Sequence, residues 1–365
     1  MKCKIAILIL SLLLCTAGSF FTSCDSVDVA GAVLEIDTAA VDSLLAEYDL
    51  AQGPGASALV IHQGQVVFSK GYGLANLAMD TPVSAVTNFR LASITKQFTA
   101  MCIMILYSQG QLDYEQTLTG IFPDFPGYGN TITLRHMLHH TSGLRDYFGI
   151  ISDTVTKQLR DQDVLDLMMA ENSTYYNPGS EYRYSNSGYA LLALIVEHIS
   201  GQSFADFLNE NIFLPLDMLG TVAYEDGIST VFNRAYGYIF SNDIYRLNDQ
   251  SLTSAVLGDG GIYSSTADMV LWDQALYTAQ LVPFDVLNEA FISGTLNSGA
   301  KIGYGFGWVL DTYLYRKRVS HTGSTTGFKN VYQRYPNERL SIIVLTNRST
   351  GSPKDIANGI AQTIF

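Results

Sequence analysis

Charged residues are scarce in this chain of 365 residues: Asp, Glu, Lys and Arg make up 15% of it, against 47% hydrophobic residues. That balance excludes a charged coiled coil and a disordered acidic tail. With 31 glycines and nine prolines, the composition also excludes a collagen repeat. At about 150 residues per domain, the length fits two packing units or two closely packed regions of one large enzyme.

Basic residues are especially few. Beyond residue 23 the chain has 19 basic and 34 acidic residues, a net charge of −15, and no basic run. Such a charge repels nucleic acid and anionic membrane surfaces. We therefore expect no nucleic-acid partner, and simple solubility explains the acidity.

No apolar run near the N-terminus is long enough to span a bilayer. The mostly apolar stretch from Ile5 to Ala17 is thirteen residues long and follows Lys2 and Lys4, which is typical of a signal peptide. We expect residues 1–23 to be removed and residues 24–36 to form an export linker.

Cys24 follows two small residues, Thr22 and Ser23, directly after Phe21. This pattern resembles a bacterial lipoprotein box, with Phe in place of the usual Leu or Val. We expect a lipid on Cys24 and an exported protein of the cell envelope or periplasm, attached to a membrane through that lipid alone. Cleavage near this position by an ordinary signal peptidase is the alternative.

Only four cysteines are present. Cys3 and Cys15 lie in the expected signal peptide, and Cys24 would carry the lipid. Cys102 then remains as a free thiol in an apolar run, where a small core residue is expected rather than a nucleophile. No intramolecular disulfide is possible on this interpretation, and no CxxC pattern suggests a metal or redox site.

The spacing of apolar residues predicts an α/β fold over residues 37–365. The first strands of its sheet precede a helical region, and the last strands follow that region. A helix is expected over Thr38 to Tyr48 and a hairpin over Ala56 to Tyr72. From about residue 93 to 277 the spacing turns helical, and strands return near residues 319–321, 328–335 and 340–346. Ser352-Pro353 opens a terminal helix. A mostly helical region is thus inserted in the sheet, which places a cleft between the two parts.

A Ser-x-x-Lys motif, Ser93 to Lys96, stands at the start of a helical run. The spacing of three places the hydroxyl and the ammonium group on one face, and free amides at a helix N-terminus can stabilise an oxyanion. The motif is weak alone, because about one chance match is expected in a chain of this length. A second copy, Ser298 to Lys301, lies in a loop without an apolar helix behind it and is discarded.

Two further motifs have the residue types of a serine hydrolase. Tyr184-Ser185-Asn186 precedes a predicted helix, and a phenol near a lysine can have its pKa lowered and act as a base. His321-Thr322-Gly323-Ser324 ends a predicted strand and could offer a substrate side-chain donors from His321 and Thr322 and the amide of Ser324. Each motif alone is better explained structurally, by a buried tyrosine or by a turn.

The three motifs in this order resemble those of the serine beta-lactamase-related family, which includes class C beta-lactamases, DD-peptidases, D-aminopeptidases and esterases. The resemblance extends over residues 50–365. It includes these further segments: Pro54-Gly55-Ala56, Leu138-His139-His140-Thr141-Ser142-Gly143-Leu144, Pro178-Gly179-Ser180, Gly260-Gly261-Ile262-Tyr263-Ser264-Ser265 and Tyr304-Gly305-Phe306-Gly307-Trp308.

The resemblance implies a role for each motif. Ser93 would be acylated, Lys96 and Tyr184 would activate it and carry its proton, and Asn186 would help to orient the substrate. The oxyanion would be held by the amides of Ser93 and Ser324, with the rest of the strand motif in substrate binding. The family's antiparallel sheet flanked by helices is expected, with no metal or organic cofactor and with a small molecule or peptide as substrate.

One departure from the family pattern concerns the substrate. Penicillin-binding members usually have Lys where this chain has His321, and an ordinary histidine is only about a quarter charged at pH 7. A substrate carboxylate would be held less firmly. We therefore expect esters or D-amino-acid amides and peptides to be better substrates than penicillins.

Two alternatives remain open. The first is a true beta-lactamase or DD-carboxypeptidase, and the second is a silent protein that binds cell-wall fragments in the same cleft. A metal site at His136, His139 and His140 is not expected, because no nearby acid completes a zincin pattern. The chain also lacks the Gly-x-Ser-x-Gly elbow of α/β-hydrolases.

Overall fold

A computed structural model describes residues 34–365. The predicted signal peptide and the predicted lipid site at Cys24 lie outside the described residues. The expected helix at Thr38 is confirmed: it begins after Asp37, whose side chain accepts a hydrogen bond from the Ala40 amide. The described helices are α1 (Thr38–Leu45), α2 (Lys96–Ser108), α3 (Leu118–Ile121), α4 (Leu134–Leu138), α5 (Asp161–Ala170), α6 (Asn186–Ser200), α7 (Phe204–Leu208), α8 (Leu257–Gly260), α9 (Thr266–Ala275), α10 (Phe284–Glu289) and α11 (Pro353–Ile364).

The strands form one main sheet and three small ones. Their bounds are β1 (Ala56–His62), β2 (Gln65–Tyr72), β3 (Leu74–Asn76), β4 (Thr81–Pro82), β5 (Phe89–Arg90), β6 (Val222–Ala223), β7 (Tyr238–Ser241), β8 (Ile244–Leu247), β9 (Ile262–Ser264), β10 (Val309–Tyr313), β11 (Arg316–Thr325), β12 (Phe328–Tyr335) and β13 (Leu340–Thr346). The main sheet has the order β10-β11-β12-β13-β1-β2, and every neighbouring pair is antiparallel.

The middle of this sheet is covered on both faces. Every residue of β13 is buried, so the strand shows none of the polar alternation of a half-exposed strand. Helix α11 packs on β12 and β13, with α1 against it, and α9 packs on β1 and β13. The sheet begins with β1 and β2, and the chain completes it only after the helical excursion, as the sequence predicts.

The helical excursion is built around two buried helices. Residues 96–106 of α2 are all buried, which explains why the sequence is apolar on every side from residue 100 to residue 106. Helix α6 packs against α2 and is buried from Ser187 to Val196. Ser185 caps α6 by accepting the Gly188 amide, and Gly201 ends it with a φ of 73°.

The apolar spacing of the sequence did not predict some of the strands. Strand β10 lies at the edge of the main sheet with no fully buried residue, so it carries only a weak apolar signal. The β7–β8 hairpin lies within the span predicted to be helical. Cys102 is a free, buried thiol, as expected.

Neither a single membrane-spanning helix nor a metal-binding cluster is found within residues 34–365. No single helix there is both long and apolar enough to cross a membrane, although the bent pair Asn186–Ser200 and Phe204–Phe213 passes that test together. Within the same residues, no group of three His, Cys, Asp or Glu side chains is arranged to hold a metal ion.

Candidate active site

Ser93 lies on a strained turn at the start of α2. A short 3₁₀ helix, Ala92–Thr95, leads directly into α2. Ala92 has a φ of 51°, a left-handed conformation that alanine rarely adopts and that tends to persist only where surrounding structure enforces it. Lys96 follows one turn later, and its Nζ lies 3.3 Å from Ser93 Oγ. The structure therefore brings the two residues of the Ser-x-x-Lys motif into contact.

Lys96 is completely buried and surrounded by oxygen atoms. Its Nζ donates to Asn186 Oδ1 at 2.9 Å and to the Asp259 carbonyl at 2.8 Å, besides the longer contact with Ser93. An ammonium group has three protons, and these three acceptors account for all of them. A neutral amine would keep the two shorter bonds and turn its lone pair to the Ser93 hydroxyl.

Burial lowers the pKa of Lys96 to about 8, because it penalises the charged form more than the negative charges of Asp259 and Asp146 favour it. With that pKa, about a tenth of the side chain is free amine at pH 7. Lys96 is thus poised to accept the Ser93 proton close to neutral pH.

Tyr184 lies beside the same lysine but remains a phenol. Lys96 Nζ is 4.9 Å from the centre of its ring. Burial raises the pKa of Tyr184 well above its ordinary value, and the nearby Ser93 hydroxyl offsets only part of that rise. The expectation that this pKa would be lowered is therefore wrong, because burial dominates it. The Tyr184 hydroxyl is buried and makes no hydrogen bond to the described residues that meets distance and angle requirements.

The side-chain amide of Asn186 hydrogen-bonds Lys96 with its oxygen and Asp146 with its nitrogen. Its Oδ1 accepts from Lys96, while its Nδ2 donates to Asp146 Oδ2 at 3.3 Å. The same carboxylate oxygen accepts the Asn186 backbone amide at 2.9 Å. Because a carboxylate only accepts, it fixes which way the Asn186 amide points. The family resemblance gives Asn186 a role in orienting the substrate, whereas the contacts in this structure orient Lys96.

A short turn that the sequence analysis overlooked holds the other side of Lys96. Helix α8 carries the Asp259 carbonyl, and the Asp259 carboxylate accepts from the Tyr147 hydroxyl at 2.8 Å. The buried Asp161 carboxylate accepts the amides of Leu257 and Gly258 at 2.8 and 2.9 Å, which fixes the turn. A backbone carbonyl leaves no trace in a residue pattern, so only the adjoining glycine-rich segment could have pointed here.

His321 differs most from its expected state. Its Nδ1 lies 2.6 Å from the Thr322 carbonyl, and its Nε2 lies 3.0 Å from the Tyr304 hydroxyl. The carbonyl can only accept, so Nδ1 carries the proton and Nε2 accepts from Tyr304. Burial, and then the Lys96 charge, lower the pKa of His321 to about 4. The imidazole is neutral at pH 7 rather than a quarter charged, and both nitrogens are engaged within the protein.

The end of β11 lies directly against the turn that carries Ser93. A Cβ on Gly323 would come within 2.0 Å of the Leu91 carbonyl oxygen, so only glycine fits at this distance. Ser324 and Ser93 line one cavity of about 240 Å³. Thr322 is exposed, and Thr322, Gly323 and His321 are not among the residues lining that cavity.

The cavity around Ser93 is small and largely polar. Its wall includes Arg90, whose guanidinium is already bonded to the carbonyls of Gly260 and Ser254. The lining residues are Arg90, Ala92, Ser93, Tyr147, Phe148, Tyr184, Asn186, Thr253, Asp259, Gly260, Ser324 and Thr325. No cation on this wall, within the described part of the chain, has its charged group free for a substrate carboxylate.

Comparison with known proteins decides the family. Residues 41–363 match the family model described as Beta-lactamase. The chain belongs to the beta-lactamase family. It is 36% identical over 305 residues to penicillin-binding protein 4* of Bacillus subtilis, which covers 80% of this chain and 67% of that protein. It is 27% identical over 345 residues to a D-aminopeptidase of Gluconobacter oxydans, covering 89% of this chain and 61% of that one.

Solved structures show the same beta-lactamase-family fold. The D-amino acid amidase of Ochrobactrum anthropi SV3, complexed with L-phenylalanine amide, has a TM-score of 0.76 at 23% identity and covers 90% of this chain and 98% of its own. An octameric penicillin-binding protein homologue from Pyrococcus abyssi has a TM-score of 0.75 at 25% identity. The match covers 88% of this chain and 76% of that one. The resemblance inferred from the motifs and the expected fold are confirmed, and the chain is a serine hydrolase of the beta-lactamase family.

The lysine pKa leads to a prediction for the reaction of Ser93. Below pH 8 only a falling fraction of Lys96 is free amine that can act as base, so the acylation rate of Ser93 should rise about tenfold per pH unit towards pH 8 and level off above it. Lys96→Arg, which stays protonated, should keep that rate about 10²- to 10⁴-fold below the wild-type plateau at every pH. Stopped-flow acylation with a nitrophenyl ester from pH 5.5 to 9.5 measures both. A flat profile, or an active arginine variant, would show that Lys96 is not the base.

Proposed function

We propose that this protein is an exported serine hydrolase that forms an acyl-enzyme on Ser93 and acts on esters or on D-amino-acid amides and peptides. The contact between Ser93 and a buried lysine of lowered pKa carries this proposal. Lys96 accepts the serine proton as the hydroxyl attacks the carbonyl carbon. The C–O or C–N bond to the leaving group then breaks, and water later releases the acyl group.

Tyr184 has a different part in this proposal from Lys96. With its raised pKa the phenol is a proton donor at neutral pH, suited to hand a proton to the leaving group. In deacylation Tyr184 recovers a proton from the water that attacks the acyl group, and Lys96 returns its proton to the serine oxygen as that group leaves. The amides of Ser93 and Ser324, two residues that line the same cavity, are assigned to the oxyanion.

The state of His321 supports esters and amides over penicillins. A neutral imidazole with both nitrogens engaged offers no charge to a carboxylate, and the Arg90 guanidinium is taken up by backbone carbonyls. The names of two relatives, a D-aminopeptidase and a D-amino acid amidase, agree with an amide substrate. The second candidate, a beta-lactamase or DD-carboxypeptidase, is favoured by the 36% identity to penicillin-binding protein 4*.

The substrate test compares kcat/KM for a short-chain nitrophenyl ester and a chromogenic cephalosporin, using residues 25–365. We expect the ester to be preferred, with Ser93→Ala inactive on both. His321→Lys should shift the ratio towards the cephalosporin, because an ammonium group at this position can pair with its carboxylate.

Two results would overturn parts of this proposal. A wild-type preference for the cephalosporin would put the beta-lactamase candidate first. Unchanged hydrolysis in Ser93→Ala would remove the serine mechanism, and a complete lack of turnover would favour the silent binding protein.

We further propose that the protein is located in the cell envelope through a lipid on Cys24. The support is the sequence pattern alone: two lysines, an apolar stretch and small residues before the cysteine. Full-length protein should partition into the membrane fraction and Cys24→Ala into the soluble fraction of the envelope. Equal partitioning of both would contradict a lipid anchor.

A further inference from the structure

His140 is a completely buried histidine next to Tyr184, and the reaction outlined above gives it no part. Its ring centre lies 4.2 Å from that of Tyr184, and further aromatic rings surround it, those of Tyr189 and Tyr304 at 5.0 and 4.6 Å. The imidazole therefore packs directly on the phenol that faces Ser93 and Lys96.

His140 also holds the backbone on both sides of Tyr184. Its Nδ1 accepts the Ser185 amide at 3.1 Å, and its carbonyl accepts the Arg183 amide at 2.9 Å. The two hydrogen bonds bracket Tyr184 in the chain. Only the Ser185 bond depends on the histidine side chain, since any residue supplies a carbonyl.

The backbone of His140 is itself constrained. Its φ is 57°, in the left-handed region, where the chain leaves the end of α4. Among residues other than glycine, asparagine, aspartate and histidine are several-fold enriched in this conformation. The strained turn brings the imidazole to the Ser185 amide, and Ser185 in turn caps α6.

We propose that His140 is a positioning residue that fixes Tyr184 against Ser93 and Lys96, with its Nδ1 as hydrogen-bond acceptor. Burial, and then the charge of Lys96, hold the pKa of His140 well below its ordinary value, which keeps Nδ1 free to accept. This inference rests on the proposed acyl-enzyme function, because it assigns His140 an effect on proton transfer through Tyr184.

The test uses two replacements that both tolerate the left-handed backbone, His140→Gly and His140→Asn. Both remove the ring, but the asparagine Oδ1 is bonded to Cγ as Nδ1 is and can accept the Ser185 amide. A purely structural role would make both variants lose activity in parallel with their melting temperatures. A positioning role predicts rescue by asparagine.

We expect kcat for the nitrophenyl ester to fall about 10²-fold in His140→Gly, with KM changed by less than about threefold, because misplacing a reacting group by about 1 Å costs this much. His140→Asn should recover at least about tenfold of that loss. The matched control is His139→Asn, a neighbouring histidine whose ring packs on Phe306, and it should keep the wild-type kcat.

A double-mutant cycle shows whether His140 acts through the Tyr184 hydroxyl. In a Tyr184→Phe background the further change His140→Gly should cost less than about threefold, because the group that it positions is already gone. If His140→Gly does not fold, the same cycle with His140→Asn decides, and its residual loss should vanish in that background.

Each outcome bears on the inference. Full additivity in the cycle, or equal losses in the glycine and asparagine variants, would overturn it while Ser93-dependent turnover of the wild type stands. If wild-type turnover does not depend on Ser93, the proposed function fails first and the inference with it, so the two failures are distinguishable.

Discussion

A lysine ammonium group without solvent contact is the constraint on which the active site depends. Lys96 is fully buried, and a buried ammonium group either loses its proton or needs oxygen partners. Lys96 has oxygen partners and also a lowered pKa. The negative charges of Asp259 and Asp146 stabilise the ammonium group in part, and the remaining cost of burial brings its pKa to about 8. The same balance makes the group a base for Ser93.

Meeting that constraint requires three distant parts of the chain. Helix α2 supplies Lys96, the start of α6 supplies Asn186, and α8 supplies the Asp259 carbonyl. Two of these parts are themselves fixed by a carboxylate: Asp146 holds Asn186, and Asp161 holds the turn of α8. The carboxylates do not touch Lys96 directly, so the lysine has neutral partners and keeps a reactive pKa.

Elsewhere the interior satisfies a buried charge completely. Asp273 on α9 accepts hydrogen bonds from Tyr332, Arg334 and Ser341, and the side chains of the Asp273–Arg334 pair are each 2% exposed. This pair ties α9 to the sheet beneath the site. The contrast with Lys96 is physical: a formal counter-ion stabilises the charged state, whereas carbonyl dipoles leave the lysine able to release its proton.

The sequence predicted much of this fold and the nucleophile, because both depend on local patterns. Helix α1, the β1–β2 hairpin and strands β11 to β13 follow from apolar spacing, and Ser93 and Lys96 meet because they lie one turn apart. Protonation states depend on tertiary burial, so the directions in which the pKa values of Tyr184 and His321 shift could not be predicted from motifs. The backbone carbonyl of Asp259 and the support by Asp146 carry no sequence signal, and edge strand β10 has too little apolar character.

The most direct test of this account is the pKa of Lys96 itself. It is measured by NMR titration of lysine labelled with ¹³C at the ε carbon, with Lys96→Arg to assign the signal. The account predicts a midpoint near pH 8 in the free enzyme. A midpoint above pH 10, the value of an exposed lysine, would contradict it, because Lys96 would then hold its proton throughout the range in which it must accept one from Ser93.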